Sequence, residues 1–255
     1  WLGKSLMTSP ERISIELTNR CSKACSFCYN GSAPEGSLSW GEAELVDFVQ
    51  DCAASGIKAV SFGGGEPLQY PGLFSVLQKL KGRLFRSLTT NGLLLEENLA
   101  QLKLAAPEKV HVSIHFPHDR KEVERVAMQV RTLADAGIKS GVNLLVARSW
   151  LEEARWAATY LFAQGIGNER IVYLPMRMSD TPAPEELAKV AGSRNFQSMT
   201  CLSACGISER FCSIAADKSA AWCSYTSARR VLPELSHNGL RRALAGLPLI
   251  FCGAD

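Results

Sequence analysis

Residues 13–28 read Ile13-Ser14-Ile15-Glu16-Leu17-Thr18-Asn19-Arg20-Cys21-Ser22-Lys23-Ala24-Cys25-Ser26-Phe27-Cys28. Ile13, Ile15 and Leu17 alternate with polar residues, the period of a half-buried strand. Cys21, Cys25 and Cys28 follow it at once, in the spacing C-x3-C-x2-C. Three thiolates in so short a loop can wrap one face of a small metal cluster. A 4Fe-4S cluster held by three Cys keeps one iron open for chemistry. The alternative for the same thiols is a structural zinc site, completed by His111 or His115.

Outward from this stretch a rhythm repeats. Ser39-Trp40-Gly41-Glu42 reads as a capping box. The helix beyond it carries Leu45, Phe48, Val49 and Cys52 on one face and stops at Gly56. A short strand at 59–62 runs into Gly63-Gly64-Gly65-Glu66-Pro67. Helices are expected near 73–80, 96–105, 121–136 and 151–164, and strands near 86–90, 109–114, 141–146 and 171–176. Six strands alternating with five helices imply parallel strands joined by right-handed crossovers. The expected fold class is therefore α/β, a partial (β/α)6 barrel too short to close. After Met176 the rhythm fades. A short helix near 185–191 is expected, then a boundary near residue 195. Two short strands at 211–215 and 221–225 would flank a turn at Asp217-Lys218-Ser219, before a last helix near 235–244. The expected domains are a barrel at 10–192 and a small extension at 195–255.

The chain has 255 residues, 46% hydrophobic and 21% charged, with net charge +3 and nine Cys. That composition belongs to an ordinary globular protein and excludes wholesale disorder. The charge is too mild to argue for nucleic acid. No apolar run approaches the length of a membrane helix. The first residues do not resemble a signal peptide, so a cytoplasmic location is expected. Clustered Cys in a reducing compartment suggest metal rather than disulfides.

Two motifs together carry a resemblance. Cys21, Cys25, Phe27 and Cys28 match C-x3-C-x-aromatic-C after the first strand. Gly64, Gly65, Glu66 and Pro67 match the Gly-Gly-Glu-Pro segment after the second. In this the sequence resembles the radical S-adenosylmethionine (SAM) enzymes, over about residues 10–180. The resemblance implies a partial barrel with its site at the C-terminal strand ends. It implies a 4Fe-4S cluster on Cys21, Cys25 and Cys28, with SAM chelating the open iron. Reductive cleavage of SAM then gives a 5′-deoxyadenosyl radical that abstracts hydrogen from a substrate. It also implies SAM-binding roles. Gly63, Gly64 and Gly65, with Glu66, would let backbone approach the SAM ammonium. Phe27 would pack near adenine, and Ser113 would contact the ribose. Asn91 and Asn143 would face the cofactor, and Tyr173 to Met176 would line the adenine site. His115 stands where many relatives have Asp and is one candidate catalytic residue. Cys52, on an apolar helix face, is expected in the core.

The later cysteines resemble the opening of the extension called SPASM, or its shorter twitch form. The match is Cys205, a strand, a turn and Cys223, with Cys252 as a later ligand. The Gly usual in that turn is replaced here by Lys218 or Ser219. The resemblance implies one auxiliary 4Fe-4S cluster on Cys205, Cys223 and Cys252. Candidates for its fourth ligand are Cys201, Cys212 and Asp255. Cys212 is also a candidate hydrogen donor. The implied substrate is a ribosomally made peptide. The alternative is a small molecule, acted on by a dehydrogenase, epimerase or cyclase. Readings of another class are a glycyl-radical activating enzyme and a non-enzymatic iron–sulfur or zinc protein. An external electron donor such as flavodoxin or ferredoxin and a monomeric state are expected.

Overall fold

The computed structural model describes residues 10–192, 197–198, 210–250 and 252. The elements are β1 (Arg12–Glu16), α1 (Glu42–Ala54), β2 (Ala59–Gly63), α2 (Leu73–Lys79), β3 (Phe85–Thr90), α3 (Leu95–Ala105) and β4 (Lys109–Ile114). Then come α4 (Arg120–Asp135), β5 (Ser140–Val146), α5 (Leu151–Ala163), β6 (Ile171–Pro175), α6 (Pro184–Val190) and β7 (Gln197–Ser198). The last are β8 (Phe211–Ile214), β9 (Ser219–Ala221), β10 (Arg230–Val231) and α7 (His237–Leu244).

The sheet order is β10-β9-β8-β1-β2-β3-β4-β5-β6-β7. Strands β1 to β7 follow one another in parallel, as six βα units require. The end strands do not pair with each other, so the sheet is an open, partial barrel. Period-two alternation sorts its two faces. Ile13, Ile15, Val60, Phe62, Val110, Val112, Val142 and Leu144 are fully or almost fully buried in the core. Each such side chain contributes about 1.5–3 kcal/mol by leaving water. The other face is small and polar. Ser213, Ser14, Ser61 and Ser87 stand side by side across β8, β1, β2 and β3. Such short side chains leave the barrel interior open.

One charge sits in the apolar layer. Arg86 is fully buried in β3 and ion-paired to Glu108 at 2.7 Å. Its guanidinium also donates to the carbonyls of Leu77, Ala105 and Ala106. The last two belong to the C-terminal end of α3, where helix carbonyls lack partners. Arg86 thus ties α2 and α3 to the sheet.

Several details differ from the sequence reading. Helix α1 is capped at Gly41, not Ser39, because the Glu44 carboxylate accepts the Gly41 N–H at 2.8 Å. The second hairpin strand begins at Ser219, because Asp217 Oδ1 accepts both the Ser219 N–H and hydroxyl and closes the turn early. Lys218 takes a left-handed φ of 67°, a conformation costing about 1–2 kcal/mol for a residue with a Cβ. Its ammonium pairs with Glu44 at 2.7 Å, which anchors the turn. Strand β8 pairs in parallel with β1, so the described residues after 210 extend the barrel's own sheet. Among the described residues, no helix is long and apolar enough to cross a membrane.

Replacing Arg86 leaves Glu108 and several carbonyls without their partner. Arg86→Leu is expected to destabilise the fold by about 3–5 kcal/mol, read as a lower urea midpoint. A midpoint equal to wild type would show that the guanidinium does not tie these helices down.

Candidate active site

The C-terminal ends of the strands surround a cavity of about 820 Å³. That is the upper part of the range for small-ligand sites. Cys21, Cys25 and Cys28 all line it. Among the described residues no three Cys, His, Asp or Glu are arranged as a single metal ion needs. His111 does not line the cavity, although His115 does.

The Cys loop is held from both sides. Cys21 N–H donates to Ala33 O and Cys28 N–H to Cys25 O, each at 3.0 Å. Beneath them, Gly65 N–H donates to Thr18 O at 2.6 Å and Glu66 N–H to Arg20 O at 2.8 Å. This approach needs glycine. A Cβ on Gly64 would lie 2.7 Å from Thr18 O, and Gly64 has a φ of 110°. A Cβ on Gly65 would collide with the Arg20 carbonyl. At Gly63 a Cβ would meet nothing and enter the cavity. Gly64 and Gly65 thus serve the packing under the Cys loop, and Gly63 keeps the cavity clear.

Glu66 does not face the cavity. It is almost fully buried and accepts from Leu68 N–H at 3.0 Å, Thr90 Oγ1 at 2.6 Å and Asn91 N–H at 2.8 Å. Burial raises its pKa against the lowering effect of those bonds. Its carboxylate positions Asn91, whose Nδ2 lies 3.7 Å from Cys21 Sγ. The Cys28 thiol donates to Asn30 Oδ1 at 2.9 Å. Burial pushes the Cys25 thiol up to about 11. A metal reverses that, since a coordinating thiol is deprotonated.

Phe27, Gly63, Gly64, Gly65, Asn91, Ser113 and Asn143 line the cavity. Ser113 and Asn143 are register neighbours on β4 and β5. Phe27 packs edge-on against Phe116 at 5.4 Å and Trp150 at 5.9 Å. Phe116 and Trp150 were not singled out in the sequence. They sit on the loops after β4 and β5, where a parallel barrel builds its site. Lys23 was missed too. It lines the cavity and pairs with Glu122 at 2.6 Å. The Arg177 guanidinium lies 4.2 Å from the Tyr225 ring centre, and both residues line the cavity.

Like Glu66, two further expected residues do not line the cavity. Tyr173 is fully buried, pairs in register with Leu144, and donates its hydroxyl to Asn168 Oδ1 at 2.7 Å. It lies in the apolar layer, while Leu174 and Met176 line the cavity. Cys212 pairs with Ile13, is fully buried, and lies within electrostatic reach of Cys52. Burial pushes its thiol well up. It does not line the cavity, which removes the geometric support for a catalytic or ligand role. Cys52 is in the core as expected. Cys252 lines the cavity beside Met178, whose N–H donates to Cys252 O at 3.1 Å. Cys223 is half-buried next to the lining residues Ser224 and Tyr225. Cys201, Cys205 and Asp255 lie outside the described residues.

The family model described as the radical SAM superfamily matches residues 15–158. The chain therefore belongs to the radical SAM superfamily, whose enzymes use a 4Fe-4S cluster and SAM. Among curated relatives, GTP 3′,8-cyclase of Streptomyces coelicolor is 35% identical over 40% of this chain and 32% of its own length. The GTP 3′,8-cyclase of Aquifex aeolicus is 35% identical over 46% of this chain and 39% of its own. The matches thus span about a third of these relatives. Among solved structures, Streptococcus suis SuiB bound to S-adenosylmethionine aligns at TM-score 0.68 and 15% identity, over 85% of this chain and 61% of that one. The anSMEcpe complex with AdoMet and the Cp18Cys peptide aligns at 0.65 and 13%, over 91% and 82%. These likenesses show the fold.

Gly63→Ala and Gly65→Ala are expected to separate. Gly65→Ala should cost more than about 3 kcal/mol by forcing the Cys loop away, whereas Gly63→Ala should leave thermal stability near wild type. Equal losses would refute the division of roles. A second expectation concerns pH. Burial, then the Lys23 charge, brings His115 down to about 4. An unfolded His protonates near pH 6.5. Between about 6.5 and 4 the unfolded state therefore takes up a proton that the folded state refuses, and stability falls with pH in that window. His115→Gln should flatten this fall in urea midpoints taken at pH 7.5 and 5; an unchanged slope would contradict it.

Proposed function

We propose that the chain is the catalytic unit of a radical SAM enzyme that abstracts hydrogen from a peptide. The observation that carries the reading is that Cys21, Cys25 and Cys28 face one cavity together with Gly63, Ser113 and Asn143. The donor set fits a 4Fe-4S cluster: three thiols at one wall and no fourth ligand among them. The chemistry that the cluster supplies when bound is one-electron reduction of the SAM sulfonium. The protein's own residues do the rest. Gly63 leaves room for the SAM amino acid against bare backbone. Ser113 and Asn143 offer a hydroxyl and an amide at the depth of one register pair. His115, whose pKa burial lowers, would offer a neutral imidazole at the cavity wall without adding charge. Phe27, Phe116 and Trp150 keep water from the reacting atoms. The substrate enters past Arg177, Tyr225 and Cys252.

The peptide reading draws on the extent of the fold likeness. The match to the peptide-bound anSMEcpe covers 91% of the chain, more than the barrel residues alone supply. A second SuiB structure is of its complex with precursor peptide SuiA. The competing reading is a small-molecule cyclase, favoured by the relatives named GTP 3′,8-cyclase. We further assign the extension an auxiliary cluster on Cys205, Cys223 and Cys252, and the whole enzyme an external donor of flavodoxin or ferredoxin type.

Anaerobically reconstituted protein with SAM and dithionite should release 5′-deoxyadenosine, and a cognate peptide should accelerate the release where GTP does not. Acceleration by GTP alone would transfer the reading to the cyclase class, and no 5′-deoxyadenosine would end the radical reading. The Cys21/Cys25/Cys28 triple Ala variant should retain about four iron atoms in the auxiliary site. Residual iron near zero would remove that site.

A further inference from the structure

Lys23 lies between Cys21 and Cys25 in sequence and borders the same cavity. Its side chain is only 8% exposed and that of Glu122 only 7%. The Glu122 carboxylate does three things at once. One oxygen takes the Lys23 ammonium at 2.6 Å. The other accepts His115 N–H at 2.6 Å and Phe116 N–H at 3.4 Å. It therefore clamps the Cys loop to the end of β4. A buried ion pair is a poor source of net stability, because both ions lose their hydration. A reason for one here must be sought in what stands beside it. The ammonium has three N–H groups, and among the described residues Glu122 is its hydrogen-bond acceptor. Lys23 borders the cavity that the three thiols line, and Glu122 does not.

We propose that Lys23 is a positioning residue for the cluster, a fixed buried cation held by Glu122 that offsets the negative charge of the thiolate-bound cluster and raises its reduction potential. Net charge and hydrogen bonds to sulfur set such potentials in general. The inference rests on the radical SAM reading above. Removing the cation makes the cluster harder to reduce. Removing the carboxylate leaves the cation uncompensated and makes the cluster easier to reduce. A merely structural clamp gives no such opposition of sign.

The test is an EPR-monitored redox titration of the reconstituted SAM cluster in the Cys223→Ala/Cys252→Ala background, without SAM, with iron counted per chain. Lys23→Met is expected to shift the midpoint to more negative potential, Glu122→Gln to more positive potential, and Lys23→Arg to leave it near wild type. Unchanged midpoints, or shifts of one sign in both, would overturn the proposal. If Lys23→Met does not fold, the sign in Glu122→Gln decides alone. A parent protein that assembles no cluster at Cys21, Cys25 and Cys28 defeats the radical SAM reading itself, and is told apart by its iron count.

Discussion

The site depends on a close backbone approach. Gly64 and Gly65 press against the chain from Glu16 to Arg20, at a distance that no side chain permits. Two hydrogen bonds, from Gly65 N–H to Thr18 O and from Glu66 N–H to Arg20 O, hold the approach. Arg20 is the residue before Cys21, so the contact sets where the thiols begin. Glu66 extends the same lock sideways by carrying Asn91 to Cys21. The two sequence motifs are thus one mechanical unit. The second motif is a support for the first as much as a wall of the cavity.

Parity along the strands decides which residues can take part. In-facing positions include the short polar side chains Ser14, Ser61, Ser113 and Asn143, joined by Leu145 and Leu174 on the later strands. Out-facing positions are apolar and meet the helices. Tyr173 and Cys212 fall on the second set, and no loop chemistry can bring them across a sheet. Their register partners, Leu144 and Ile13, are fully or almost fully buried in the same apolar layer. Ser113 and Asn143 fall on the first set and reach the cavity.

The barrel was legible because each βα unit announces itself locally, through alternation, helical stripes and a closing Gly. The three thiols and the glycine run were legible because their spacing is dense. What remained hidden is non-local. Lys23 and Glu122 are 99 positions apart and carry no pattern that pairs them. Strand β8 is four residues long, and nothing in it says that it will dock on β1. Phe116 and Trp150 look like ordinary loop aromatics until the loops meet over Phe27. Lys218 breaks the turn pattern on paper, yet adopts the left-handed conformation because Glu44 holds its ammonium.

The continuity of the sheet from β1 into β8 brings residues after 210 to the cavity, which Tyr225 and Cys252 line together with barrel residues. Substrate recognition and radical chemistry would then share one chamber. The central claim is that Cys21, Cys25 and Cys28 together hold one cluster in that chamber. An iron anomalous-difference map from anaerobically grown crystals of the reconstituted protein tests it most directly. The account predicts cluster-sized anomalous density in contact with all three sulfurs and open toward Gly63. A single-ion peak there, or density that leaves one of the three thiols unbound, would contradict it.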